Sequence, residues 1–470
     1  MTRTNYLIKN TSILLLGKVS TQLVTFLLLP LYTAKLNTYE YGIMDVYVTL
    51  ATLLIPVITL QIEQAIFRFM IAKNSNLKEI ISTATFFILV SIIIYSFIYL
   101  LFINLFSIDY PILIFLFFLS QAIFQILLQV VRGFNKYNFY SLISFASAVM
   151  IIFFNIIFIV GLNMKYEAIL LSTAIADFIC SIIIILKSNL YKYISILKVS
   201  VKFLVEMIAY SAPLVINQLS SWLINYSDRL IIIAVLGISM NGVYSLANKF
   251  FNLPVSIFNI YNLAWTELII KSVENDNKKD TNQYINKMIN ITFEIYECVI
   301  VIIVAGLGIF FKFFINENYY MAYRYIPILL IASLFSGMSA TIGSIYVANK
   351  KTKDIAITTL LSGFLNVIIH VLSIKFIGLY AAALSTMITF IILFFFRCKN
   401  INSYFKVNLE YKNLRKITII GFFVFFTYYI GNTVLQILSA ILLLIYIIKL
   451  IIRDSFFKNK FLNIIRQKNI

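Results

Sequence analysis

The sequence predicts an all-α integral membrane protein of about fourteen transmembrane helices, built as two pseudo-symmetric six-helix bundles around a central cavity plus a C-terminal helix pair. Three observations predict it. The 470-residue chain is 61% hydrophobic with only 12% charged residues, where the surface of a soluble protein needs about 25%. Apolar runs long enough to cross roughly 30 Å of hydrocarbon recur along the whole length. The pattern of one half also returns about 200 residues later.

The expected spans are 11–31, 43–67, 83–106, 111–131, 140–161, 167–187, 205–235, 243–267, 289–311, 325–347, 355–374, 379–396, 417–431 and 433–452. The last two flank Gly431-Asn432, a break that also suits a short re-entrant hairpin. Basic residues test the order. With the amino terminus inside, thirty of the 38 Lys and Arg residues fall in inward segments. The outward loops hold only Lys35, Lys165, Lys312, Arg324 and Lys375, and Lys18, Arg229 and Lys249 lie within helices. This sorting places both termini in the cytoplasm. It also accounts for the net charge of +19 without nucleic acid, because inner loops such as 277–280 and 413–417 lie beside anionic lipid. Cys180, Cys298 and Cys398 have no disulfide or metal spacing and are read as packing residues.

Hydrophilic stretches divide the chain into 1–187, a linker at 188–204, a second bundle at 205–398, a loop at 399–416 and the extra pair at 417–470. A shift of 200 places "AKLNTYEYGIMD" (34–45) on "AVLGISMNGVYS" (234–245), pairing Ala34 with Ala234, Leu36 with Leu236 and Gly42 with Gly242. A second match aligns "LNMK" (162–165) with "LSIK" (372–375). Each match keeps its topology after six helices, so the halves form a parallel repeat.

Polar residues follow single helix faces. In the second helix Asp45, Thr49, Thr52, Pro56, Thr59 and Glu63 recur at alternating spacings of four and three. The equivalents in the second half are Ser245, Lys249, Asn252, Ser256, Asn259 and Leu263. Lys18, Gln22 and Thr25 share a face of the first helix, Gln121, Gln125 and Gln129 one of the fourth, and Gln218, Ser221, Asn225 and Asp228 one of the seventh. Each stripe alone is consistent with helix-to-helix glue; together they fit a water-filled cavity. A charge at a helix centre costs about 2.5 to 3.5 kcal/mol, so Lys18, Arg229 and Lys249 either snorkel to headgroups or make a cavity attractive to anions, phosphate above all. Asp45, Glu63, Asp177 and Glu206 would neutralise such cations or bind a coupling ion, H+ or Na+. His370, spaced by four from Asn366 and by eight from Ser362, is read as a hydrogen-bonded packing residue. No other cofactor is implied.

The segments "SDRLIIIAVLGISMNGVYSLANKF" (227–250) and "LLLGKVSTQLVTFLLLPLYTAKLNTYEYGIMDVY" (14–47) resemble those of polysaccharide-unit flippases of the Wzx type in the MOP exporter superfamily. The resemblance implies a transporter of the bacterial cytoplasmic membrane for an O-antigen, capsule or similar repeat unit. Such a transporter moves an undecaprenyl-diphosphate-linked oligosaccharide to the outer leaflet by alternating access. It also implies membrane lipids and the polysaccharide polymerase machinery as partners, and places Lys18, Arg229 and Lys249 on the diphosphate or on acidic sugars. Many members carry more cavity arginine than this chain does.

Three rivals are weighed. A multidrug exporter of the same superfamily favours an acidic cavity, against the basic balance at Lys18 and Lys249. A peptidoglycan-precursor flippase shares the fold. A membrane glycosyltransferase, polymerase or ligase would show catalytic carboxylates or a large outer loop with His and Arg. The sequence has neither, and it has no nucleophile-base pairing, phosphate-cradling glycine loop or zinc spacing; it reads as a transporter rather than an enzyme.

Overall fold

The computed structural model describes residue 24, residues 26–72, 76–105, 109–274, 278–349, 351–401, 405–408, 411–431 and 434–436, and residues 438 and 441. Among these, fourteen α-helices follow one another: α1 (Leu29–Lys35), α2 (Thr38–Ile58), α3 (Ile62–Met70), α4 (Leu77–Leu105), α5 (Pro111–Gly133), α6 (Tyr137–Asn155), α7 (Tyr166–Lys187), α8 (Val201–Leu236), α9 (Ile238–Glu274), α10 (Lys278–Phe314), α11 (Ile326–Ala348), α12 (Thr352–Ile377), α13 (Tyr380–Ile401) and α14 (Tyr411–Ile430). Eleven of the helical stretches are long and apolar enough to cross a membrane. They overlap the second to twelfth expected spans, except that the second, 43–67, is broken at Leu60 and Gln61, both with positive φ, into α2 and α3, so the expected stripe from Asp45 to Glu63 does not follow one helix. The first and last of the fourteen fall mostly outside the described residues, and the thirteenth is α14, which begins at Tyr411, within the expected loop.

Leu89, Ile93, Phe97 and Leu100 recur on one face of α4 and are exposed. In water such a stripe would be a liability; in a bilayer it is the lipid-facing side. The chain is an all-α integral membrane protein.

Two compact units are formed. The first holds the described residues up to Leu246 together with Ala356–Ser385, and the second holds Ala247–Ile355 and the described residues from Thr386 onward. In the first, α5 packs along α7 and α3, and α8 packs on α2, α3 and α4. Its core joins Ile62 and Ile66 of α3, Ile126 and Val130 of α5, and Cys180 and Ile184 of α7, so Cys180 is a packing residue. The segment before α8 is pinned to α4: Ser82 donates to the Tyr193 carbonyl at 3.0 Å, and the Ser195 and Ser200 amides donate to Ser82 and Thr83 at 2.9 and 3.1 Å. In the second unit, α10 packs on α11 and α14. Asn286 and Asn290 hold the 406–408 backbone at 2.7 to 2.9 Å.

The two repeat-related glycines meet. A Cβ on Gly42 would overlap the Ile238 carbonyl oxygen, and one on Gly242 would overlap the Thr38 carbonyl oxygen. Each of these contacts maps onto the other by the 200-residue shift, as in an isologous interface where i meets j and j meets i. Only glycine permits so close a backbone approach.

Gly42→Val or Gly242→Val is therefore expected to destabilise the detergent-purified protein by about 1–3 kcal/mol, read as a lower melting temperature. Gly306, where a Cβ would meet nothing within 4 Å, serves as control: Gly306→Ala should be neutral or stabilising by up to about 1 kcal/mol. Equal losses in all three would remove the crossing from its structural role.

Candidate functional site: a buried network on the Asp228-Arg229 dipeptide

Three local features bring α2, α8 and α9 together. Asn37 caps α2 by accepting from the Glu40 amide at 2.8 Å, while Glu40 accepts from the Asn37 amide at 3.1 Å, forming a capping box. Glu40 also pairs with Lys165 at 2.5 Å, which raises the Lys165 pKa above its usual value. Ser200 caps α8 through the Phe203 amide. Between α8 and α9, Gly237 adopts φ +91°, a left-handed region that glycine enters at no steric cost. The chain reverses there, so that the first two turns of α9 return beside the last turns of α8.

On α8, Asp228 and Arg229 are consecutive and diverge by about 100°. Arg229 reaches α2, where its Nε donates to Asp45 at 2.8 Å. Asp45 also accepts from Ser245 at 2.6 Å and Asn241 at 3.3 Å, both on α9. The guanidinium donates to the Asn225 carbonyl at 3.0 Å and lies 4.9 Å from the Tyr226 ring centroid. Asp228 points to α9 and α12. It accepts from Tyr244 at 3.0 Å and Asn366 at 3.2 Å, and stands 3.0 Å from His370 Nδ1. All of these residues but Asn225 and Tyr226 are buried.

This geometry decides one of the two readings of Arg229. At 4% exposure with a carboxylate on its Nε, it does not snorkel. It is half of a buried ion pair, and Asp45 satisfies it within the fold.

The remaining expected positions lie as follows. Gln121 and Gln218 are half-buried, and Gln125 and Asn225 are exposed. Glu63, half-buried, accepts from Thr59 at 3.3 Å beside the break between α2 and α3, and buried Asp177 accepts from Ser147 at 3.0 Å. Lys249 and Asn252 are half-buried on α9 in the second unit, where Asn252 donates to Asn248 at 2.8 Å. Lys18 and Gln22 lie outside the described residues. Of the expected set, the structure joins Asp45, Asp228 and Arg229 with Asn225 into one network. It adds Asn241, Tyr244, Asn366 and His370. The spacing of Asn366 and His370 on one face of α12 was the visible signal, and their partner, 138 or more residues away, was not visible.

Sequence and fold comparisons agree with this architecture. The model of the family described as polysaccharide biosynthesis protein matches residues 7–266, and the MatE model matches residues 213–372. The chain belongs to the polysaccharide biosynthesis protein family. No curated protein matches the sequence. Among solved structures, the lipid II flippase MurJ in an inward closed conformation is 17% identical, with 97% of this chain and 99% of that chain covered and a TM-score of 0.64. An inward-facing multidrug resistance MATE transporter of the MOP superfamily is 14% identical, covering 84% and 95% with a TM-score of 0.63. A Vibrio cholerae MATE transporter is 13% identical, covering 85% and 97% with a TM-score of 0.56. The families and structural neighbours are transporters and flippases rather than enzymes. This family member is thus a multi-pass membrane protein with the fold of the flippase and transporters just named.

Removing one partner of a buried ion pair costs about 3–5 kcal/mol, because the other charge is left uncompensated. Asp45→Asn and Arg229→Gln should each lower the melting temperature sharply, and the double variant should recover part of the loss. A coupling of at least about 1 kcal/mol is expected in the double-mutant cycle; additive losses would mean that the two side chains act independently.

Proposed function

We propose that the protein flips an undecaprenyl-diphosphate-linked oligosaccharide from the cytoplasmic to the outer leaflet of the bacterial cytoplasmic membrane, with both termini in the cytoplasm. The observation that carries this reading is the polysaccharide biosynthesis family match over residues 7–266, joined to a fold shared with a lipid II flippase. Flipping needs a membrane-embedded polar path for the headgroup and lipid for the tail. The polar residues Gln121, Gln125, Gln218, Asn225 and Asn252 supply hydrogen-bonding groups for sugars. Lys18 and Lys249 supply positive charge for the diphosphate.

Alternating access gives the mechanism. In the orientation set by the basic loops, the Gly42–Gly242 crossing lies toward the outer face. The Asp45–Arg229 pair braces it, so outward release requires α2 to part from α8 and α9. A backbone contact without intervening side chains can part and re-form without repacking a core. Direction comes from an H+ or Na+ gradient acting on carboxylates such as half-buried Glu63 and buried Asp177, or from consumption of the product by polymerase machinery outside.

The MatE match over residues 213–372 supports a second reading, export of cationic drugs. The test is flipping of a fluorescent undecaprenyl-diphosphate oligosaccharide in proteoliposomes. The parent should flip it, and Lys18→Ala and Lys249→Ala should each slow it at least tenfold at matched insertion. Unchanged rates would remove these cations from the path. A parent that flips nothing but extrudes a cationic dye would replace the first reading with the second.

A further inference from the structure

We propose that the segment joining α7 to α8 is an interfacial anchor, in which Ile196 and Leu197 enter the bilayer surface and the lysines around them bind the phosphates of anionic lipid headgroups. The anchor does not depend on what the protein transports. Only the name of its leaflet, the cytoplasmic one, rests on the proposed orientation.

Leu197 is 95% exposed and Ile196 89%, and among the described residues no large apolar side chain is more exposed. Both lie in one turn of 3-10 helix, Ile196–Lys198. The segment around that turn is firmly held. Leu190 is buried in the core of the first unit, and Tyr193 packs against that core with its ring 5.5 Å from the Phe134 ring. Hydrogen bonds with Ser82 and Thr83 fix the backbone at 193, 195 and 200, on both sides of the turn. Two aliphatic side chains are thus displayed outward from a fastened backbone, as at an interaction site.

The helix beneath shows what covers them. Ser82, Phe86, Leu89 and Ile93 recur along α4 at spacings of four, three and four, so they share one face. The last three are exposed on its lipid-facing side, whereas Ser82 is buried where the segment crosses it. The segment therefore lies over the end of the lipid-facing stripe, and its 3-10 turn packs on α4. Ser82 is five residues into α4, about 7.5 Å along the axis, next to residue 83, where hydropathy starts the span. This is headgroup depth.

Charge agrees with that depth. No acidic residue occurs from Lys187 to Val205, and Lys187, Lys192, Lys198 and Lys202 are all exposed. Exposed Tyr191, with the Lys192 Nζ 5.9 Å from its ring centroid, is a residue type that favours the headgroup level. Aliphatic tips among lysines match hydrocarbon lying beneath phosphate. An acidic soluble protein would answer the lysines, but Ile196 and Leu197 stand over a helix face already given to lipid.

Leu197→Trp in the full chain adds an indole to two buried tryptophans, Trp222 and Trp265, whose signal the parent supplies for subtraction. In lipid nanodiscs the added emission should be quenched by phospholipid brominated on its acyl chains and protected from aqueous iodide. Ile196→Trp repeats the reading should the first variant fail to fold. Quenching by iodide and not by brominated lipid would overturn the anchor and leave the turn to a soluble partner. In nanodiscs mixing phosphatidylglycerol with phosphatidylcholine, native mass spectrometry should show phosphatidylglycerol retained in preference. Replacing Lys192, Lys198 and Lys202 by Gln together should lower that preference at least about fivefold, and the same change at Lys35, Lys312 and Lys375 should lower it less. Equal losses, or none, would overturn headgroup binding by this segment. Neither measurement needs a transported substrate, so a parent that flips nothing sinks the flippase reading alone.

Discussion

A charge kept inside a membrane protein must be answered by another charge or by several dipoles, because no bulk water is present to solvate it. The Asp228-Arg229 dipeptide imposes that requirement twice, in two directions. Arg229 obliges α2 to present Asp45, and Asp228 obliges α9 and α12 to present Tyr244, Asn366 and His370. Four helices, α2, α8, α9 and α12, are thereby fixed around two consecutive residues. Apolar packing alone would hold them with less specificity, since lipid tails compete equally for Leu and Ile surfaces.

The glycine crossing follows from the same geometry. Asp45 is only three residues from Gly42, and Ser245 and Asn241 flank Gly242. The hydrogen bonds to Asp45 from Asn241 and Ser245 lie beside the point where the two helices approach to backbone contact. Small residues and polar residues thus do complementary work at one place: glycine permits the approach, and the carboxylate directs it.

Much of this was legible in the sequence, for identifiable reasons. Hydropathy placed eleven spans because backbone groups in hydrocarbon must be satisfied within each segment, which makes the signal local. The 200-residue shift found Gly42 and Gly242, and the structure adds that they touch. The adjacency of Asp228 and Arg229 told that they could not share a face. What the sequence did not disclose is which distant residues answer them. Asp45 and Arg229 are 184 positions apart with no periodicity that links the two, and a buried pair leaves no trace in either helix alone. The sequence reading of His370 as a hydrogen-bonded packing residue holds, but its own helix shows only Asn366 and Ser362 beside it. Its partner arrives from α8.

The repeat is symmetric where helices touch and asymmetric where charge is placed. Gly42 and Gly242 are the same residue, whereas Asp45 corresponds to Ser245 and Thr49 to Lys249. A strictly symmetric pair of aspartates at 45 and 245 would face each other across the crossing and repel. Replacing one by serine turns that repulsion into a hydrogen bond of 2.6 Å and leaves the remaining carboxylate free to take Arg229. Symmetry at the glycines preserves the close backbone approach of α2 and α9. Broken symmetry beside them leaves one carboxylate, Asp45, for the Arg229 guanidinium to hold.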